Sequence, residues 1–228
     1  MRSERNPRPA AAGYGRHHEA ALEWLHAQNP DVALLQEVEL ARVISWEGAR
    51  VHCLPTSPSA RTGNAVIARS RRLEPLTIQI DGALVAAARA QIVDADFLLV
   101  SAHVLTDDRE HRGRQRRALG SFVTRLAELV ADGRCIVAGD FNASVHWPEY
   151  KEWFFEPMRK AGFEDARPYA HEVRSYWGRG STAIIQDDHV FVDAATKRAA
   201  NGGSWAIISS EDHRRWSDHG PVVVDVGK

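Results

Sequence analysis

A chain of 228 residues, 44% hydrophobic and 26% charged, is long enough to bury a full core and has the composition of a globular protein rather than a disordered one. Its formal charge of −1 supplies no global positive field for a long nucleic acid, so any such binding has to rest on a local patch. No apolar run reaches the length of a membrane-spanning helix, and the opening MRSERNPRPAAAGYGR lacks the apolar centre of a secretory signal, so a cytoplasmic protein is expected. In chain order, the spacing of Ala21, Leu22 and Leu25 predicts a helix over His17 to Asn29, ended by Pro30. Residues 1–15 are expected to be irregular or a degenerate first strand. DVALLQEV reads as a short buried strand closing on Gln36 and Glu37, followed by a short helix around Glu39 to Trp46. VHCL and RTGNAVIA read as strands, with Gly63-Asn64 as a bend. LEPLTIQI and LVAAARAQIV pair as a hairpin about Asp81-Gly82, and DFLLVSAHV continues the sheet as far as His103. Glu110 to Ala131 reads as a long helix, RCIVAGDF as a buried strand, and Glu149 to Ala161 as an amphipathic helix closed by Gly162. DHVFVD, SWAIIS and GPVVVDV are the last strands.

Scattered prolines, no Gly/Ser tract and no repeat predict one domain over residues 1–228, and a monomer is expected. Meanders with two or three crossover helices and no Gly-rich phosphate loop exclude a Rossmann arrangement. Two packed sheets covered by helices are expected instead. Cys53 and Cys135 sit in apolar runs without metal-like spacing and suggest neither a disulfide nor a zinc site. Nearly all the positive charge is arginine, which suits a phosphate-handling surface and is equally a matter of genomic composition.

The polar residues fall in a pattern. In CIVAGDFNAS an apolar run breaks into Asp140 and Asn142, which suits an Asx turn after a strand and equally a site at a strand's carboxyl end. Glu37, His103 and Asp188 also lie at strand ends, and Asp218 and His219 precede the last strand. Phosphoester hydrolysis near neutral pH calls for a hard cation, an activated water and stabilised negative charge. Glu37, Asp140, Asn142 and Asp218 supply the oxygen donors that Mg²⁺ or Mn²⁺ prefers. His219 has the chemistry of a base, with Asp188 to fix its tautomer.

LLQEVE, SAHV, AGDFNAS, DDHVFVD and WSDHGPVVVDV, in this order, resemble the endonuclease/exonuclease/phosphatase superfamily of metal-dependent phosphoesterases, and RTGNAVIA, Arg112 to Gln115 and AGFEDA match its pattern too. The resemblance covers roughly residues 18 to 226 and implies an α/β fold, a four-layer αββα sandwich of two mixed, mainly antiparallel sheets flanked by helices. It implies Glu37 as a metal ligand, Asp140 as a ligand or water-aligning group, and Asn142 as a phosphate contact. His219 would be the base or a phosphate contact, paired with Asp188. Asp218 would act on metal or water, His103 would donate to a phosphoryl oxygen, and Arg112 stands at a substrate-binding position. The pattern fails at the start, where SERNP replaces an apolar strand ending in Trp-Asn. The resemblance puts Asn6, by its distance before Glu37, in the place of the missing ligand, and weak metal binding is expected.

Plainer readings stand beside these: Asp188 as a strand cap, with Asp187 its neighbour and rival, and His103 as a satisfied core histidine. Trp147, Trp153, Phe154 and Phe155 suit core packing or a substrate groove. The expected function is divalent-metal-dependent hydrolysis of a phosphodiester, of nucleic acid, lipid or small-molecule type. A phosphomonoesterase of the same fold, or a catalytically impaired phosphate-binding or interaction module, are the alternatives.

Overall fold

Alternation along each strand sends successive side chains to opposite faces of a sheet, and the computed structural model shows where each face goes. It describes residues 14–44, 46–80, 83–92, 94–104, 121–125, 134–142, 155–166, 175, 187–199, 205–207, 217 and 219–224. Strands β1 (Val32–Glu39), β2 (Arg50–Pro55) and β3 (Thr62–Ala68) form an antiparallel sheet in the order β1-β3-β2. Strands β4 (Leu73–Leu76), β5 (Ala83–Ile92), β6 (Ala95–Val104), β7 (Arg134–Asp140), β8 (Phe163–Asp165) and β9 (Asp188–Asp193) form a larger one in the order β4-β5-β6-β7-β9-β8. Its neighbours run antiparallel except β6 and β7, which are parallel. A separate antiparallel ladder joins β10 (Trp205–Ile207) and β11 (Val222–Val224). The described helices are α1 (Tyr14–Gln28), α2 (Leu40–Val43), a helical segment α3 at 121–125, α4 (Glu156–Lys160) and α5 (Ala194–Ala199).

Three apolar layers follow from the alternation. On β3, Ala65 and Ile67 turn outward to Leu22 and Leu25 of α1, whereas Val66 and Ala68 turn inward to meet Ala86 and Ala88 of β5 and Leu99 of β6. The other face of the larger sheet, with Val85, Leu98, Val100 and Val137, packs on Phe122 of α3 and Met158 of α4. Helix, sheet, sheet and helix make four layers, the αββα sandwich.

Several boundaries differ from expectation for local reasons. Tyr14 and Gly15, expected to be irregular, open α1; residues 1–13, with Asn6, lie outside the described residues. Helix α1 ends at Gln28, before Asn29 in a left-handed conformation (φ 51°) and the helix-breaking Pro30. The short helix is Leu40–Val43 rather than Glu39 to Trp46. Gly63 and Asn64 are not a bend but part of β3, where a Cβ on Gly63 would come within 2.1 Å of the Leu54 carbonyl oxygen on β2. Strand β8 and helix α5 were not anticipated. Of the long helix expected over Glu110 to Ala131, residues 121–125 are described and helical.

Phe155 is fully buried and settles as core, while Trp147, Trp153 and Phe154 lie outside the described residues. Both cysteines are free, Cys135 buried and Cys53 half-buried. No described helix is long and apolar enough to cross a membrane.

Gly139 shows what the parallel β6–β7 pairing demands. A Cβ there would lie 1.8 Å from the Ala102 carbonyl oxygen, which is backbone and cannot swing away. Gly139→Ala is expected to destabilise the protein by about 3 kcal/mol, since β7 has to move off β6. Urea denaturation that detects no loss would disprove this.

Candidate active site

Pairing across the larger sheet brings the chemistry together. His103 is the last residue but one of β6, Asp140 ends β7 and Asp188 opens β9; the register sets His103 opposite Asp140 and Asp140 opposite Asp188. Counting back by twos, His103 shares a face with Leu99, and Asp140 with Ile136, both in the layer between the sheets. The row of three therefore stands at one end of that layer.

His219 closes on this row. Its Nδ1 lies 2.9 Å from Asp188 Oδ2, and its Nε2 lies 3.9 Å from Asp140 Oδ2. His103 Nε2 approaches the same Asp140 oxygen at 3.8 Å. Two imidazoles thus flank one carboxylate oxygen at distances too long for direct hydrogen bonds. His103 is no satisfied core histidine, because its buried Nδ1 has no hydrogen-bond partner among the described residues. Asp188 does more than cap a strand, since it holds His219.

Asp140 and Asn142 do form an Asx turn. Asp140 Oδ1 accepts the Asn142 N–H at 2.7 Å, with Asn142 in a left-handed conformation at φ 48°. Asn142 Nδ2 donates to the Val104 carbonyl at 2.9 Å and to Asp140 Oδ2 at 3.2 Å. Both amide donors are engaged inside the protein, so a phosphate contact through Nδ2 requires one of these bonds to be exchanged. Between the two residues, Phe141 is fully buried, with its ring edge-on to Phe191 at 5.3 Å and to Phe155 at 6.1 Å. The turn and the strand end answer one question: the buried Phe141 anchors the turn, and the turn presents the two polar residues.

Glu37 reaches the site by a different device from the one expected. The sequence predicts it as the end of a buried strand, whereas it is exposed and β1 runs on to Glu39. The ladder pairs Leu35 with Ala65 and Val38 with Gly63, so Gln36 and Glu37 together oppose one residue of β3, a β-bulge. Glu37 has φ 52°, a conformation costing a non-glycine residue roughly 1–3 kcal/mol. Beneath it a buried polar layer joins the sheets. Gln36 Nε2 donates to Ser101 Oγ at 2.8 Å, Ser101 Oγ donates to the Leu35 carbonyl at 2.7 Å, and Asn64 Nδ2 donates to the Leu84 carbonyl at 2.9 Å. These bonds pin the residues just before Glu37.

Carboxylates crowd this end of the sandwich. Burial, then the neighbouring Asp188 charge, push Asp140 up to about 8, against the opposing pull of His219 and the Asn142 N–H. Asp187 is buried with an unpartnered Oδ1 among the described residues; burial and Asp188 raise it to about 6. Burial lowers the His103 pKa below its ordinary value, with Glu37 and Asp188 opposing. Among the described residues no three His, Cys, Asp or Glu side chains form a ready-made metal-binding group. Asp218, Asn6 and Arg112 lie outside the described residues.

Sequence reasoning missed the Gln36–Ser101 link, the buried His189–Asp165 pair at 2.9 Å and the hydrogen bonds that Ser175 accepts from the Asp187, Asp188 and Gly220 N–H groups. The one signal for Gln36 is its place as a polar residue where an apolar run stops. Nothing local in the sequence distinguishes the other residues.

Solved structures share this fold. A humanized D. rerio TDP2 carrying 14 mutations matches with a TM-score of 0.68 at 17% identity, over 93% of this chain and 92% of its own. The human Nocturnin catalytic domain with bound sulfate matches at 0.66 and 18%, over 93% and 86%. A mannosyl-6-phosphatase of Bacteroides thetaiotaomicron matches at 0.66 and 15%, over 93% and 91%. No curated protein sequence matches. At such identities these structures speak for the fold alone. The sequence pattern of the Endonuclease/Exonuclease/phosphatase family, however, matches residues 4–219. That match runs from within the SERNP stretch to the histidine held by Asp188, nearly the whole chain, so the protein belongs to the endonuclease/exonuclease/phosphatase family.

Proposed function

We propose that this protein is a divalent-metal-dependent phosphoesterase that hydrolyses a phosphodiester, with His219 as the base or phosphate contact. The observation that carries the reading is the 2.9 Å bond between His219 Nδ1 and Asp188, which leaves Nε2 directed at the Asp140 carboxylate. In the neutral imidazole, Nδ1–H donates to Asp188 and Nε2 carries the lone pair that can accept a proton from water. Asp140 stands beside that water as its aligning group, and the Asn142 turn holds Asp140 in place. His103, kept neutral by burial, is available to donate to a phosphoryl oxygen.

The donor chemistry fits a hard cation. Burial first, and then the neighbouring Asp188 charge, raise the pKa values of Asp140 and Asp187, so an added Mg²⁺ or Mn²⁺ would compensate the carboxylate charge at this end of the sandwich. Glu37 and Asp140, with Asp218 and Asn6, would hold it. When bound, the ion polarises the phosphoryl oxygen and neutralises the charge that develops there. Phosphate recognition draws further on Arg112.

A screen of Mg²⁺ and Mn²⁺ against single-stranded and duplex DNA, RNA, bis-p-nitrophenyl phosphate, p-nitrophenyl phosphate and sphingomyelin tests the reading. Hydrolysis of a diester with either metal is expected. Monoester turnover alone would replace diesterase by monoesterase, as the name of the Bacteroides thetaiotaomicron structure describes that protein. No turnover of any substrate would leave a phosphate-binding or interaction module.

Glu37→Gln should weaken Mn²⁺ binding by about tenfold or more, because one formal charge leaves the donor set while shape and backbone stay unchanged. Calorimetry giving an unaltered affinity would remove Glu37 from the ligands.

A further inference from the structure

The Asp188–His219 bond joins segments 31 residues apart in sequence, and neither segment fixes the other locally. Asp188 is the first residue of β9, and His219 precedes β11. Strand ends open more readily than strand centres, so something has to hold these two in register. Ser175 touches both. It is fully buried, and its Oγ accepts the N–H groups of Asp187 and Asp188, each at 3.1 Å. Its carbonyl accepts the N–H of Gly220 at 2.7 Å, one residue past His219. On the other side of the same peptide, the Asp187 carbonyl accepts the Phe141 N–H at 2.9 Å, which ties the arrangement to the Asp140–Asn142 turn.

We propose that Ser175 is the positioning residue of the Asp188–His219 pair: its hydroxyl sets the start of β9 and its carbonyl sets the backbone that carries the imidazole. The proposal rests on the reading of His219 as base or phosphate contact and adds the residue that aims it. The physical reason is geometric. Hydrogen bonds weaken steeply as distance and angle depart from their optimum, so a small slip between the two segments costs the pair its alignment before it costs the fold. A Ser175 that merely capped β9 would affect stability and leave turnover by the folded protein unchanged.

Ser175→Ala and Ser175→Thr separate these roles, since threonine keeps the oxygen that accepts both N–H groups. In the metal-free protein, the exchange-protected Nδ1–H resonance of His219 reports the pair without reference to activity. Ser175→Ala is expected to keep the near-ultraviolet circular dichroism of the wild type, lose that resonance, and show kcat for bis-p-nitrophenyl phosphate with Mn²⁺ lowered about 10- to 100-fold at a KM within about twofold. Ser175→Thr should retain both resonance and turnover. In an Asp188→Asn background, Ser175→Ala should cost less than about threefold more, because a pair already broken is not broken again. An unchanged resonance in Ser175→Ala, or an undiminished loss in the Asp188→Asn background, would overturn the proposal. If the wild type hydrolyses no diester, the phosphodiesterase reading fails by itself, and the resonance still decides the role of Ser175.

Discussion

Replacing His219 by alanine should lower kcat for a phosphodiester by about a hundredfold to ten-thousandfold, the range of a general acid–base contribution. The imidazole is partly exposed, and Asp188 at 2.9 Å fixes which nitrogen carries the proton. Asn142→Ala should also lower kcat, although through a different first cause. Its amide braces Asp140 and the Val104 carbonyl, so its removal loosens the carboxylate as well as any phosphate contact. The double variant should lose far less than the product of the single losses, since both residues serve one reacting group. Turnover of bis-p-nitrophenyl phosphate with Mn²⁺ by the wild type, both single variants and the double variant gives the comparison. Near-wild-type turnover by His219→Ala would exclude that residue from the chemistry.

Asp140→Asn should move activity and stability in opposite directions. Folded, the Asp140 carboxyl holds its proton up to about pH 8, whereas the unfolded one releases it near the ordinary 3.8. Between those values the folded metal-free protein binds more protons than the unfolded chain, and its stability falls as pH rises through the window. Asp187, raised to about 6, adds to the fall over the lower part of that range. Asparagine removes the Asp140 share. At pH 8 with chelator present, Asp140→Asn should be more stable than wild type on the order of 2 kcal/mol, less than the shift alone implies because the coupled Asp188 and Asp187 charges share the repulsion. The same substitution should reduce kcat by about a hundredfold or more, as the charge beside His219 Nε2 is lost. Urea denaturation at pH 5 and pH 8 is the measurement. Wild-type stability that rises between these values, or a variant no more stable at pH 8, would show that Asp140 does not carry the strain.

Most strands were legible in the sequence because their signal is local. Alternating apolar runs such as DFLLVSAHV and RCIVAGDF state both their conformation and their burial, and β6 and β7 lie where those runs do. The polar residues that interrupt the runs marked the strand ends, and with them His103, Asp140 and Asp188. The family was legible for a related reason, as five short motifs in fixed order specify a site more narrowly than any one of them.

What the sequence left open is set by contacts between distant segments. The bulge at Glu37 exists because β1 pairs with β3 across a register shift, and no periodicity within LLQEVE announces it. Gly63 looked like a bend but is required by the close approach of β2. Ser175 carries no local signal, because its partners are backbone groups of Asp187, Asp188 and Gly220 that the tertiary fold alone brings to it. Likewise the raised pKa of Asp140 depends on burial and on charges arriving from β9. The sequence by itself determined which residues have the chemistry and which strands carry them. The tertiary structure decided register, strain and proton affinity, because each depends on how far one strand lies from another rather than on either strand alone.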